Sequence, residues 1–214
     1  MIFGMTWGRA MHEFVEQLAK DERLRSLSFQ NVKVVPFLGT PGAIQSDSWN
    51  TTTYSNTLAT KVGNLLHCAS YNLSAPMYVE GIKEKELIES IDEIAKVLHM
   101  AETADIALIG IGSMQDDSSI IKAEIRTKEE YKELVRKGAV GEIVGRIYDK
   151  NGQTVDEDLK RKMVGISLDK IAKIPVRVGM SYGKDKIEAI KGAIAGGLVN
   201  VLVTDVPTAE LLLK

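Results

Sequence analysis

Ile106-Ala107-Leu108-Ile109-Gly110 is an unbroken apolar run that passes directly into Ile111-Gly112-Ser113. A short run of this kind, bounded by glycine, predicts a strand covered on both faces, as strands of a parallel sheet are. The glycines that follow predict a loop. The same order recurs upstream. Met1 to Met5 is short and apolar, Thr6-Trp7-Gly8-Arg9 follows it, and Met11, Phe14, Val15 and Leu18 then share one helical face. Val32 to Phe37 is apolar but for one lysine and ends in Gly39-Thr40-Pro41-Gly42. Tyr54 to Leu66 carries Leu58, Val62 and Leu65 at helical spacing, and Glu84 to Met100 predicts the clearest helix, through Leu87, Ile91, Ile94 and Leu98. Between them, Leu73 to Val79 predicts a short strand interrupted by Pro76.

Downstream, Lys122 to Lys137 predicts an exposed helix of alternating charge and Val140 to Tyr148 a strand with Gly141 and Gly145 inside it. Asp149-Lys150-Asn151-Gly152 is a hairpin turn signal, assigned to a small insertion. Val176 to Met180 repeats the strand, Ser181-Tyr182-Gly183 the loop and Lys186 to Ala195 the helix, which Gly196-Gly197 ends. Val199 to Val203 is a further strand, and Asp205 with Pro207 suits the cap and first turn of a last helix. Strands alternating with helices predict an α/β fold, a mainly parallel sheet with helices on both faces, in one domain over residues 1–214. Ligands of such sheets sit beyond the carboxyl ends of the strands.

Composition narrows the function. Of 214 residues, 44% are hydrophobic, enough for a substantial core, and 27 Lys and Arg stand against 29 Asp and Glu. The formal net charge of −2 provides no positive field for a nucleic-acid backbone. The single cysteine, Cys68, forms no internal disulfide, which fits a reducing cytoplasm. No apolar run approaches the roughly 18 residues of a membrane span. The chain reaches a functional-looking turn almost at once, so a preceding N-terminal region is expected.

Five glycine-containing segments are read as following strands: Thr6 to Arg9, Gly39 to Gly42, Gly110 to Ser113, Gly165 to Ser167 and Ser181 to Gly183. Glycine lets backbone amides approach an anion, and a helix N-terminus adds favourable charge; the same segments serve equally as tight turns. Lys186, at a helix start, is placed to meet a bound anion, and Lys122 is a second basic candidate or a solvated helical residue. Glu142 and Asp205 are acceptors suited to sugar hydroxyls, Asp205 doubling as a cap. His12, His67 and His99 show no metal-ligand spacing, and no nucleophile elbow, phosphate-binding P-loop or dinucleotide fingerprint occurs, so neither a metal nor a cofactor is expected.

Specific strings then converge in order: Gly4-Met5-Thr6-Trp7-Gly8-Arg9, Val34-Val35-Pro36, Tyr54-Ser55-Asn56-Thr57-Leu58-Ala59, Ala107 to Ser113, Gly138-Ala139-Val140-Gly141-Glu142-Ile143, Val164-Gly165-Ile166-Ser167-Leu168 and Leu202-Val203-Thr204-Asp205. Together they resemble the sugar-binding, or effector, domain of SorC-type (DeoR-like) bacterial transcriptional regulators, over nearly the whole chain. The resemblance implies a fold similar to ribose-5-phosphate isomerase and glucosamine-6-phosphate deaminase. It also implies a phosphorylated sugar as effector, DNA contact only through a separate N-terminal helix-turn-helix domain, and a homodimer or homotetramer. By resemblance, Gly39, Thr40, Pro41 and Gly42 match a phosphate-cradling loop, with Thr40-Pro41 a departure where the regulators of glycolytic genes look like having Gly-Leu, and Pro41 removes one N–H donor. Glu142 matches a contact to ligand hydroxyls, Lys186 a contact to phosphate, and Gly165 a ligand-side loop. Lys122 lies near a basic position, and Asn56, Ser113 and Asp205 complete the candidate ligand contacts. An enzyme of the isomerase or deaminase class, with Glu142 and Lys186 in acid/base or imine roles, is the alternative on the same fold.

Overall fold

The computed structural model describes residues 1–41 and 51–214. In chain order the elements are β1 (Ile2–Met5), α1 (Arg9–Leu18), β2 (Lys33–Pro36), α2 (Ser55–Leu65), β3 (Ala69–Ser70), α3 (Ile82–Glu89), α4 (Asp92–Glu102), β4 (Ile106–Gly110) and β5 (Gly112–Ser113). They continue with α5 (Ser119–Lys122), α6 (Lys128–Arg136), β6 (Ala139–Ile143), β7 (Arg146–Asp149), α7 (Glu157–Lys162), α8 (Leu168–Ile171), β8 (Val176–Met180), α9 (Ile187–Ala195), β9 (Val201–Val203) and α10 (Val206–Leu212).

Six strands form one sheet in the order β3-β2-β1-β4-β8-β9, every pairing parallel. Alternate strand residues feed opposite faces. Val34 and Met5 pack with Met11, Leu58 and Val62 from α1 and α2, whereas Val35, Ala107 and Ile109 pack with Ala101, Ala189, Ile190 and Ala193 from α4 and α9. The expected parallel sheet with helices on both faces is therefore what the chain forms. From β1 the strand order runs outward one way to β2 and β3, and from β4 the other way to β8 and β9. That reversal opens a crevice between the ends of β1 and β4.

At Ile111 the chain leaves the parallel sheet and enters a second, antiparallel one of order β5-β6-β7. The single strand expected over Val140 to Tyr148 is two strands, joined by Val144-Gly145 with φ of 49° and 70°. Two consecutive left-handed residues make the tight hairpin turn whose twist matches the strands. Arg146, 2% exposed, holds this turn in place. Its guanidinium donates to the carbonyls of Val144 at 3.1 Å, Met163 at 3.2 Å and Gly165 at 3.1 Å, and burial lowers its pKa to about 10.

The Asp149–Gly152 signal is also a turn. Asp149 Oδ1 accepts from the amides of Asn151 and Gln153, each at 2.9 Å. Gly152 has φ of 73°, and a Cβ there would lie 2.5 Å from Gly196 Cα, so the turn meets the end of α9 backbone to backbone. Gly152→Ala is expected to lower unfolding stability by about 2 kcal/mol or more, because backbone cannot yield as a side chain would. Gly197→Ala, with φ of 66° but open space, should cost only about 1 kcal/mol. Urea unfolding of the two variants checks the difference, and equal midpoints would refute it.

Three further expected elements differ. The helix over Glu84 to Met100 is two helices, α3 and α4, because Ile91 is extended at ψ 124° and Asp92 and Glu93 start a new first turn where acids are favoured. Leu87 and Ile91 are 71% and 51% exposed, so the four periodic residues share no buried stripe. The helix over Lys122 to Lys137 is interrupted by a capping box, in which Thr127 Oγ1 accepts from the Glu130 amide at 3.2 Å and Glu130 from the Thr127 amide at 2.7 Å. Leu73 to Val79 makes only the isolated bridges Thr40 to Pro76 and Tyr78 to Met163, and the third strand of the sheet is Ala69–Ser70. Pro76 has no N–H with which to extend a ladder.

Candidate functional site

Thr6 fixes the crevice. Fully buried, it takes the Gly110 amide on its hydroxyl at 2.8 Å and donates its own amide to Leu108 at 3.0 Å, locking the end of β1 to the end of β4. Gly8 follows at φ 107°, a conformation that favours glycine, and Arg9 opens α1 with no side chain capping its amides. A cavity of about 310 Å³ lies here, bounded by Trp7 to Ala10, Gly110 to Ser113, Asp117 to Ser119, Glu142, Ser181 to Tyr182 and Asp185 to Lys186.

Its polar groups form a network. Lys186 Nζ donates to Ser113 Oγ at 2.9 Å and lies 4.0 Å from Asp185 Oδ2, to which Ser113 Oγ donates at 3.3 Å. Burial lowers the Lys186 pKa against the pull of Asp185 and Asp117. Arg9 Nη2 and Asp117 Oδ2 pair at 2.8 Å on the exposed rim. Glu142, 6% exposed, forms the inner wall: it accepts from the Gly145 amide at 2.5 Å and from the Trp7 side chain. Burial raises its pKa, opposed by those two bonds and by Lys186 and Arg146. A Cβ at Gly112 would stand 2.6 Å from Glu142 Oε2, so glycine is what lets β5 pass this carboxylate. The cavity thus offers cations to an anion, and hydroxyl and carboxylate oxygens to a polyol.

Of the residues singled out in the sequence, Ser113, Glu142 and Lys186 come together here. Gly39, Thr40, Pro41, Asn56 and Gly165 belong to a different assembly at the end of β2. The Gly39 amide donates to Val164 at 3.1 Å and the Thr40 amide to Ala75 at 2.8 Å. Asn56 Nδ2 reaches Thr40 Oγ1 at 2.8 Å and the Leu73 carbonyl at 3.1 Å, and Gly165 bridges Leu38. Gly165 follows α7 instead of a strand, because the chain there only touches the sheet through that bridge. Gly42 lies outside the described residues. Lys122 is exposed at the end of α5, and Asp205 caps α10 by accepting from the Thr208 amide at 3.1 Å. Thr208 in turn accepts from the Gly183 amide at 2.8 Å, so Asp205 supports the Ser181–Gly183 loop at one remove.

The Thr6 to Arg9 loop is marked in the sequence, but no single residue of it; Asp117, beside Asp116, reads as part of a solvated turn and not as a metal site, and Asp185 carries no local signal. The available signal was topological: β1 and β4 are the strands whose loops flank a reversal of strand order, which makes the loop after the first strand a leading candidate.

A six-stranded parallel sheet with a polar cavity at its switch point defines a small-molecule-binding α/β domain. A family model described as "Sugar-bind: Putative sugar-binding domain" matches residues 1–214. The chain belongs to this family, the sugar-binding domains of SorC-type transcriptional regulators. It is 31% identical over 215 residues to the sorbitol operon regulator of Klebsiella pneumoniae, covering 100% of this chain and 65% of that protein. It is 35% identical over 159 residues to the transcriptional regulator LsrR of Escherichia coli O9:H4 (strain HS), covering 72% of this chain and 50% of that one. The full-length sorbitol operon regulator SorC from Klebsiella pneumoniae superposes with a TM-score of 0.87 at 31% identity, over 100% of this chain and 65% of that structure. A transcriptional regulator from Streptococcus pneumoniae TIGR4 superposes at 0.84 with 26% identity, over 100% and 77%. The chain thus spans half to two thirds of the length of these curated relatives. No helix among the described residues is long and apolar enough to cross a membrane.

Proposed function

We propose that this chain is the effector-binding domain of a cytoplasmic, sugar-responsive transcriptional regulator and that its effector is a phosphorylated sugar held in the β1/β4 cavity. It acts by binding, not turnover: effector occupancy changes the operator affinity of the whole protein, whose separate helix-turn-helix region contacts DNA and which assembles as a homodimer or homotetramer. The observation that carries this reading is the convergence, in one cavity, of Arg9, Lys186 and the uncapped start of α1 with the oxygens of Ser113 and Glu142. The phosphoryl group meets the two cations and the α1 amides. Ser113 and Glu142 take the sugar hydroxyls. The Gly39 to Pro41 loop, held by Asn56 and Gly165, frames the sheet end, and Asp205 supports the loop ahead of Lys186.

The test is thermal denaturation of the chain with fructose, sorbitol and ribulose, each free and as fructose 6-phosphate, sorbitol 6-phosphate and ribulose 5-phosphate. A ligand at a hundred times its Kd stabilises a protein by about 2.7 kcal/mol, which moves Tm by several degrees. At least one phosphate ester is expected to do so while its parent sugar does not. No shift with any ester, or an equal shift with the parent, counts against the reading. Turnover of ribose 5-phosphate or glucosamine 6-phosphate would replace it with the enzyme.

A further inference from the structure

We infer that the cavity accepts one phosphoryl group and excludes a second, so that the effector is the phosphomonoester of a polyhydroxylated carbon chain and not a bisphosphate; this rests on the phosphosugar reading above. Among the described residues lining the cavity, the side-chain cations are Arg9 and Lys186. Each already faces a carboxylate: Arg9 lies 2.8 Å from Asp117, and Lys186 4.0 Å from Asp185. Glu142 adds a third carboxylate on the inner wall. A phosphomonoester carries between about 1.5 and 2 negative charges at neutral pH, so one phosphoryl group engages both cations. A second would meet no further cation among the described residues that line the cavity and would lie among carboxylates, where like charges repel in a partly dry site.

The fold provides no substitute cradle among the described residues. In the glycine loop after β2, the Gly39 and Thr40 amides are bonded to the carbonyls of Val164 and Ala75, and Pro41 has no N–H. Lys122, whose charge reaches Asp117 on the rim, is exposed and does not line the cavity. The carboxylates that repel a second phosphate are the natural acceptors for hydroxyl groups, so the same wall that excludes one end group favours the other.

The experiment is titration calorimetry of the chain with the three monophosphates above and with fructose 1,6-bisphosphate, sorbitol 1,6-bisphosphate and ribulose 1,5-bisphosphate. In each pair that binds, the monophosphate is expected to bind at least tenfold more tightly. Asp117→Asn and Asp185→Asn each remove one charge at nearly constant size, and either should narrow the preference by about tenfold. A bisphosphate that binds as tightly as its monophosphate overturns this inference and leaves the phosphosugar reading standing. A preference unchanged in both variants also overturns it. No binding by any of the six esters overturns the phosphosugar reading and this inference together.

Discussion

Lys186→Ala is expected to weaken binding of the tightest phosphate ester about a hundredfold or more while leaving the urea midpoint close to that of the parent. Its ammonium is four-fifths covered and bonded to Ser113, so a phosphoryl group that meets it does so with little water to screen the charge. Hydrogen bonds to charged groups contribute about 1.5–3 kcal/mol, and truncating one partner of a desolvated charge pair costs about 2–5 kcal/mol. A hundredfold is about 2.7 kcal/mol, inside both ranges. Stability should change little, because the ammonium's nearest carboxylate is at 4.0 Å and Asp185 remains half-exposed to water without it. Lys186→Arg keeps the charge and should recover part of the affinity. Calorimetry decides the matter: an unchanged Kd in Lys186→Ala would remove Lys186 from the site.

The largest effect on stability is expected at Arg146. Arg146→Ala removes the donors to three carbonyls in a region that excludes water, those of Val144, Met163 and Gly165, and leaves a cavity where the guanidinium lay. Taking away one side of a buried charged network costs about 3–5 kcal/mol. Arg146→Lys supplies a single ammonium in place of a planar fork and should restore less than half of the loss. Equilibrium urea unfolding measures both. A loss below 1 kcal/mol in Arg146→Ala would mean that the β6–β7 turn is held by its own geometry.

Those two residues mark how much was legible in the sequence. Lys186 was readable because a lysine at a helix start opposes the helix dipole and so asks for an anion. Arg146 was not, because a fully buried arginine bonded to carbonyls has no local signature. The strands of the parallel sheet were legible from unbroken apolar runs such as Ile106 to Gly110. The β6–β7 hairpin was not, because Val144 takes a left-handed φ that a β-branched residue rarely adopts, and the eye reads valine as strand. The capping box at Thr127 and Glu130 was written in the sequence and was masked by the run of charges around it. At the site, Ser113, Glu142 and Lys186 were found through loops and resemblance. The meeting of Arg9 with Asp117 and of Asp185 with Ser113 was not legible, because more than a hundred residues, or seventy, of chain intervene, and Asp117 alone reads as part of a solvated turn. Such meetings depend on strand order, which periodicity does not report. The glycine loop after β2 has the composition of a cradle; its Gly39 and Thr40 amides donate to Val164 and Ala75, and composition does not show where an N–H points.

Glu142 joins the two sheets. One of its oxygens holds the β6–β7 turn through Gly145, and the Trp7 side chain ties the carboxylate to the loop after β1. A carboxylate has about four lone-pair positions, so these two protein donors leave roughly half of them for other donors. The acceptor is therefore preorganised: it is oriented before any ligand arrives, and under the proposed function a sugar hydroxyl would complete a coordination shell that the fold has already begun. Little side-chain entropy remains to be lost there, because the ordering of this wall is complete when the chain folds.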